Sequence, residues 1–126
     1  MADPDDGAFV PFVLDRAGDA VRSVVRYDAT DSEVLFLRDD VAETYDALGV
    51  ETVVASLRRE GEQAGRQEHV YAHGELNCIV RAFDGGLEMH FPYGDVEGIA
   101  VALEPAAAEH LYGFVDDCLE HLDVEA

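Results

Sequence analysis

The sequence predicts one α+β domain: a five-stranded antiparallel sheet, made of a hairpin and a three-stranded meander, with helices packed mainly on one face. The predicted order of elements is α–ββ–α(α)–βββ–α. Two observations support this class. Residues 71–103 hold three strand-like runs joined by glycine turns, and an earlier pair of short apolar runs indicates a hairpin. The 126 residues suffice for a single domain, with an ordered core over about 8–122.

The meander begins with residues 76–83, whose side chains alternate with the period of a strand. Asp84-Gly85-Gly86 follows, where glycine would supply the positive φ of a tight turn. Residues 87–93 form the second strand, Gly94-Asp95 the second turn, and residues 96–103 the third strand. The third strand is apolar on both faces, which favours a central position in the sheet.

Alternation divides the meander into two faces. The core face is predicted to carry Leu76, Cys78, Val80, Met89 and Phe91. The opposite face would carry Ile79, Arg81, Phe83, Glu88 and His90. Two registers keep this parity, one with a two-residue and one with a four-residue loop, and they place Arg81 opposite either Glu88 or His90.

The remaining elements follow from periodicity and breakers. A helix is predicted over 8–17, and strands over 21–27 and 33–38. The apolar phase then reverses, which indicates two helices, about 40–47 and 51–62, separated at Gly49. Residues 61–67 are predicted to form a polar loop.

The last helix is predicted to begin at Pro105, which suits a first helical position, and to run to about Leu122. Its apolar residues recur at helical spacing, as expected of a stripe that faces the core. They are Leu111, Phe114, Val115, Cys118, Leu119 and Leu122.

The charge is extreme. There are 28 acidic residues against 8 basic ones, a formal net charge of −20, and the basic residues are all arginine. Such self-repulsion destabilises a compact state in dilute buffer and is screened in molar salt. The composition therefore predicts a protein of a salt-rich cytoplasm, as in a haloarchaeon. It disfavours nucleic-acid binding, which needs a basic patch.

The chain gives no indication of a membrane or secretory location. Its first residues are acidic where a signal peptide would be basic, and no apolar run reaches the length of a membrane span. Cys78 and Cys118 lie outside any C-x-x-C pattern, each on a predicted apolar face, and are interpreted as buried free thiols of a cytoplasmic protein.

Three sets of polar residues are candidate ligand sites. The first is a patch on the meander, formed by Arg81, Glu88 and His90 with His73 near its end. The second is His69-x-x-x-His73, and the third is the stripe of His110, Asp117 and His121 on the last helix. Each has a structural alternative: cross-strand charge pairs, a loop that enters a strand, and a solvated or dimer-facing stripe.

The sequence resembles a family of short acidic haloarchaeal proteins. The likeness rests on Tyr71, on the run His73-Gly74-Glu75-Leu76-Asn77-Cys78, on Val80-Arg81, Phe83, Glu88 and His90-Phe91, and on Leu37–Val41 with Tyr45. It spans about residues 8–122 and implies fold and habitat but no site. The order of elements is also similar to the roadblock/profilin-like topology, whose members are often dimeric adaptors, although no sequence motif accompanies this likeness.

These observations favour a non-enzymatic interaction or regulatory domain that acts as a homodimer or with another protein, without a cofactor. The apolar pair Ile79 and Phe83 would form the contact surface if no helix covers it. The alternative covering is by the first helix or by the helices after Asp39. The competing hypothesis is a small metal- or ligand-binding protein, or an enzyme, that uses His73, Arg81, Glu88 and His90.

Overall fold

A computed structural model describes residues 6–43, 47–93 and 96–122. It contains one antiparallel sheet with strand order β2-β1-β5-β4-β3. The strands are β1 (Val21–Tyr27), β2 (Ser32–Leu37), β3 (Ile79–Phe83), β4 (Gly86–Tyr93) and β5 (Glu97–Leu103). The predicted fold class, the hairpin and the meander are confirmed, and β5 is the central strand.

Five α-helices accompany the sheet in the described part of the chain. They are α1 (Asp6–Ala17), α2 (Asp39–Ala42), α3 (Ala47–Glu62), α4 (Ala64–Tyr71) and α5 (Glu109–His121). Short 3-10 turns precede β1 at Gly18–Ala20 and precede α5 at Pro105–Ala108.

Helices cover both faces of the sheet, a more even distribution than expected. On the α1 face, Val24, Val101 and Leu87 form a buried cluster against side chains of α1 and α5. On the α3 face, Tyr27 and Ala100 pack against α3. The two clusters alternate along β5, since Val101 belongs to one and Ala100 to the other, as the strand period requires.

Two boundaries of the predicted helices are wrong. Gly49 lies within α3 rather than at a break, and residue 47, the predicted end of the earlier helix, is the first residue of α3. Residues 44–46 of that predicted helix lie outside the described residues. The predicted polar loop is helical, because α3 continues to Glu62 and α4 starts at Ala64. Helix α4 contains no buried residue. Its polar sequence is therefore that of a solvent-exposed helix and not of a loop.

The first strand of the predicted meander is shorter and more exposed than expected. Strand β3 begins at Ile79, and Leu76 and Cys78 precede it in irregular structure. The thiols of Cys78 and Cys118 are free but only half-buried, whereas both were expected to be buried. Val80 is 44% exposed, and it lies on β3, an edge strand of the sheet. The turn into β4 uses Asp84 and Gly85; its glycines are not among those with positive φ in the described chain, contrary to expectation.

Candidate functional site

Arg81 lies on the edge strand β3 and points toward the α3 face. The register pairs Arg81 with Glu88 and Ile79 with His90. The two-residue loop is therefore the correct one of the two predicted alternatives. Next across the sheet, Glu88 pairs with Ala102 and His90 with Ala100. This register places the side chains of Arg81, Glu88 and His90 on one face of the sheet, beside α3.

A chain of hydrogen bonds runs from the sheet interior to Arg81. The hydroxyl of Tyr27 lies 2.6 Å from His90 Nε2, and His90 Nδ1 lies 2.7 Å from Glu60 Oε1. Both terminal nitrogens of Arg81 donate to the Glu60 carboxylate. Tyr27 and His90 are each 1% exposed, whereas Arg81 reaches solvent. We call these four residues the Tyr27 network.

Two glycines make room for the Tyr27 side chain. A Cβ at position 98 would lie 2.6 Å from the Cζ atom of Tyr27, and a Cβ at position 61 would lie 3.1 Å from its hydroxyl. Gly98 is the β5 residue paired with Tyr27, and Gly61 belongs to the last turn of α3. The tyrosine is thus held between a strand and a helix that lack side chains at the contact.

Protonation states follow from this geometry. An ionised Glu60 paired with Arg81 only accepts hydrogen bonds, so the histidine donates through Nδ1 and accepts at Nε2 from the tyrosine O–H. Burial, together with the positive charge of Arg81, lowers the pKa of His90 to about 4. Burial, aided by Tyr93, raises the pKa of Tyr27 to about 12, against a lowering effect of Arg58. Both groups are therefore neutral near pH 7.

The inner end of the network, the Tyr27 hydroxyl, is closed to a substrate. The Tyr27 hydroxyl is enclosed by Gly61, Gly98 and the carbonyl of Leu57, 3.5 Å away. A substrate atom has no space beside it, and a nucleophile must reach its substrate. Glu60 and Arg81 form the solvent-facing end of the network. Their ion pair holds the Arg81 guanidinium between two hollows in the protein surface.

The first hollow has a volume of about 700 Å³ and lies between α3, α4, the segment 72–78 and β3. We call it the α4 hollow. Its walls include Ser56, Arg59, Glu60, Tyr71, His73, Glu75, Ile79 and Arg81. The volume falls within the range of small-molecule sites.

A second hollow, of about 490 Å³, adjoins the same arginine; we call it the β3 hollow. Its walls include Arg22, Ser56, Arg81, Phe83, Glu88 and His90. Burial raises the pKa of the Glu88 carboxyl, and the nearby Arg22 and Arg81 partly oppose this. Ser56 and Arg81 line both hollows.

The structure divides the predicted meander patch between these two hollows. His73 and Ile79 line the α4 hollow with Arg81. The remaining three predicted residues, Phe83, Glu88 and His90, line the β3 hollow with Arg81. Phe83 is 55% exposed. Helix α3 therefore covers only part of the sheet face that carries Ile79 and Phe83.

Sequence reasoning missed Tyr27, Glu60 and Arg59. Glu60 follows Leu57 by three positions and Val53 by seven, so it occupies the stripe by which α3 packs on the sheet. An acidic residue within an apolar stripe indicates that its carboxylate has a polar partner in the interior, because an unpaired buried charge is costly. Tyr27 carries no comparable signal, because its partner His90 is 63 residues away.

Within the described chain, neither of the other histidine sets forms a metal site. His69 lies in α4, whereas His73 follows the helix end at Ala72, so the pair does not share a helix face. His110, Asp117 and His121 all lie on α5. Throughout residues 6–43, 47–93 and 96–122, no three His, Cys, Asp or Glu side chains are grouped closely enough to hold a metal ion.

Helix α5 exposes much of the apolar stripe that was predicted to face the core. Tyr112 anchors the helix by donating to the carbonyls of Phe83 and Gly86, at 2.8 and 2.7 Å. With the helix in this orientation, no residue of α5 is buried. Three apolar side chains are 39%, 68% and 69% exposed: Leu111, Phe114 and Leu122. With the half-buried Cys118 they form a continuous surface that we call the α5 strip.

These features define an α+β domain with a helix-covered sheet, a buried polar network and an uncovered amphipathic helix. Residues 7–123 match the family described as Domain of unknown function (DUF7522), and the chain belongs to that family. A comparison with curated proteins finds no match. Among the described residues, no helix is both long and apolar enough to cross a membrane.

Proposed function

We propose that this chain is a non-catalytic interaction and regulatory domain that pairs with a second copy of itself through the α5 strip. The observation that carries the proposal is the exposure of this strip. Phe114 and Leu122 are 68% and 69% exposed, although apolar spacing on a helix ordinarily marks its packed face. Contiguous apolar surface of this kind marks contact sites.

The flank of the strip favours a second copy as its occupant. His110 and Asp117 lie seven residues apart, two helical turns, on the same side of Phe114. If two α5 helices pack antiparallel about a two-fold axis near Phe114, His110 of each copy faces Asp117 of the other. A two-fold contact needs only this one self-complementary surface.

The charge sets the condition for pairing. Two copies that each carry a net charge of −20 repel one another in dilute buffer. We infer a salt-rich cytoplasm of haloarchaeal type as the working environment, because molar salt screens that repulsion. The order of elements, similar to that of roadblock/profilin-like adaptors, agrees with a dimeric role but adds little weight alone.

Sedimentation velocity in molar KCl tests the proposal. The wild-type chain should sediment as a dimer, and Phe114→Glu should sediment as a monomer with unchanged circular dichroism. Val70→Glu is the matched control, since Val70 is also 68% exposed but lies on α4. A wild-type monomer at every protein concentration would contradict the proposal, as would a Phe114→Glu dimer.

A charge exchange tests the antiparallel register. His110→Asp should weaken the dimer, because the introduced carboxylate would face Asp117 of the other copy. Adding Asp117→Arg should restore it, since each introduced guanidinium would then meet the introduced carboxylate of the other copy. If the double variant is no tighter than His110→Asp alone, the register is wrong even where the dimer itself exists.

A further inference from the structure

Two charged groups in the walls of the α4 hollow, one positive and one negative, bind no other group among the residues that the structure describes. Arg81 and Glu60 bind each other, and Glu68 accepts the backbone N–H of Leu76 at 2.8 Å. By contrast, the Arg59 guanidinium and the Glu75 carboxylate make no ion pair or hydrogen bond with the residues the structure describes. Both groups line the hollow and are exposed.

Hydrogen bonds within the protein hold the walls of the α4 hollow in place without a ligand. On the sheet side, the Tyr27 network fixes Glu60 and Arg81. On the other side, the Glu68–Leu76 hydrogen bond holds the segment after α4, which turns at Ala72 and Gly74 with φ of 54° and 89°. A preformed hollow lowers the ordering cost of binding.

The rest of the lining combines apolar surface with neutral hydrogen-bonding groups. Leu76 and Ile79 supply aliphatic surface, and Tyr71 an exposed ring. The amides of Gln63 and Gln67 can each donate and accept. Such a surface suits an apolar side chain that is attached to a polar backbone.

We propose that the α4 hollow binds a small zwitterion with an apolar side chain, either a free amino acid or a short peptide. The ligand carboxylate would bind Arg59, whose planar guanidinium matches a carboxylate in two hydrogen bonds. The ligand ammonium would bind Glu75, and its side chain would lie against Ile79 and Leu76. This site is separate from the α5 strip and does not depend on pairing.

Chemical-shift titration of the ¹⁵N-labelled full chain in molar KCl, with leucine and glycyl-leucine as probes, tests the proposal. Saturable shifts at Ile79 and in the segment 72–78 are expected with at least one probe, and the tighter probe identifies the source. Leucinamide lacks the carboxylate and 4-methylpentanoate lacks the ammonium, so each should bind more weakly than the tighter of the two zwitterions.

Two variants assign the charges. Arg59→Gln should weaken the tighter zwitterion about tenfold but leave leucinamide unaffected; Glu75→Gln should weaken it similarly but leave 4-methylpentanoate unaffected. Arg66→Gln is the control, because Arg66 lies on α4 outside the hollow. Absence of saturable shifts with both zwitterions would overturn the proposal, and so would shifts that survive Arg59→Gln and Glu75→Gln undiminished.

Discussion

The Tyr27 hydroxyl lies 2.6 Å from His90 Nε2, across a sheet in which β5 separates their two strands. Gly98, on β5 between them, has no side chain to block the contact. The bond therefore spans three strands on the α3 face and continues through Glu60 into α3. It joins the first hairpin, the meander and the helix that covers them, and several properties of the protein should depend on it.

Tyr27→Phe should destabilise the protein by about 1–3 kcal/mol, because the buried Nε2 of His90 would lose its donor. The aromatic ring and its packing would remain, so the loss reports the hydroxyl. Urea unfolding in molar KCl measures it. Tyr71→Phe is the control, since Tyr71 is 64% exposed, and it should change stability little. Equal effects of the two substitutions would show that the bond to His90 contributes nothing specific.

The same histidine should make stability depend on pH. The pKa of His90 is lowered from 6.5 to about 4 in the folded protein, so between these values the unfolded chain binds the additional proton. The contribution of neutral His90 is complete above about pH 6.5 and is lost as pH falls toward 4. Over that window the loss is on the order of 3 kcal/mol. Glu88, whose pKa is raised, opposes part of it.

Two measurements check this pH dependence. The imidazole resonances of His90 should titrate with a midpoint near 4, and the free energy of unfolding should fall between neutral pH and pH 5. His90→Gln should flatten the profile in this window, whereas replacement of the exposed His73 by Gln should leave it as it is. A midpoint for His90 at or above 6.5 would contradict the expected desolvation.

Periodicity predicted the two faces of the meander because strand alternation depends only on neighbouring residues. Arg81, Glu88 and His90 therefore fall on one face, as expected. The partners Tyr27 and Glu60 come from β1 and α3, and no local pattern states which distant element covers a sheet face. The network is a tertiary property.

The errors in the helical regions have a related cause. Gly61 was interpreted as the start of a loop, whereas in the structure it is the point where Tyr27 approaches α3. The exposed stripe of α5 was interpreted as core, since spacing reports that residues share a face and not what covers that face. In both cases the local sequence did not reveal which distant element packs against the segment.

Gly98→Ala should be destabilising by about 1–3 kcal/mol, because its Cβ would overlap the Tyr27 ring and force the network apart. Gly65→Ala is the matched control. Position 65 lies in α4 with open space around its Cβ, so alanine there should stabilise the helix by about 0.5–1 kcal/mol. Thermal unfolding in molar KCl compares the two. Stabilisation by both substitutions would show that β5 can move away from the tyrosine without cost.

Ala72→Gly should stabilise the protein by up to about 1 kcal/mol, since Ala72 ends α4 in the left-handed conformation with φ 54° and ψ 37°. Glycine adopts this conformation without the steric penalty that a Cβ incurs. Ala55→Gly, an exposed position within α3, should have the opposite sign and cost about 1 kcal/mol. Chemical denaturation measures both changes in the free energy of unfolding. A destabilised Ala72→Gly variant would mean that residue 72 does not adopt the left-handed conformation in solution.

Stability should rise steeply from dilute buffer to molar KCl. Repulsion among charges that sum to −20 acts over the Debye length, which shrinks to about 3 Å at 1 M salt. Urea midpoints across a KCl series measure the effect. A variant with Glu43, Glu51 and Glu62 replaced by Gln, all exposed, removes three of the negative charges and should respond less to salt. A flat response in the wild-type chain would mean that its acidic surface is not an adaptation to salt.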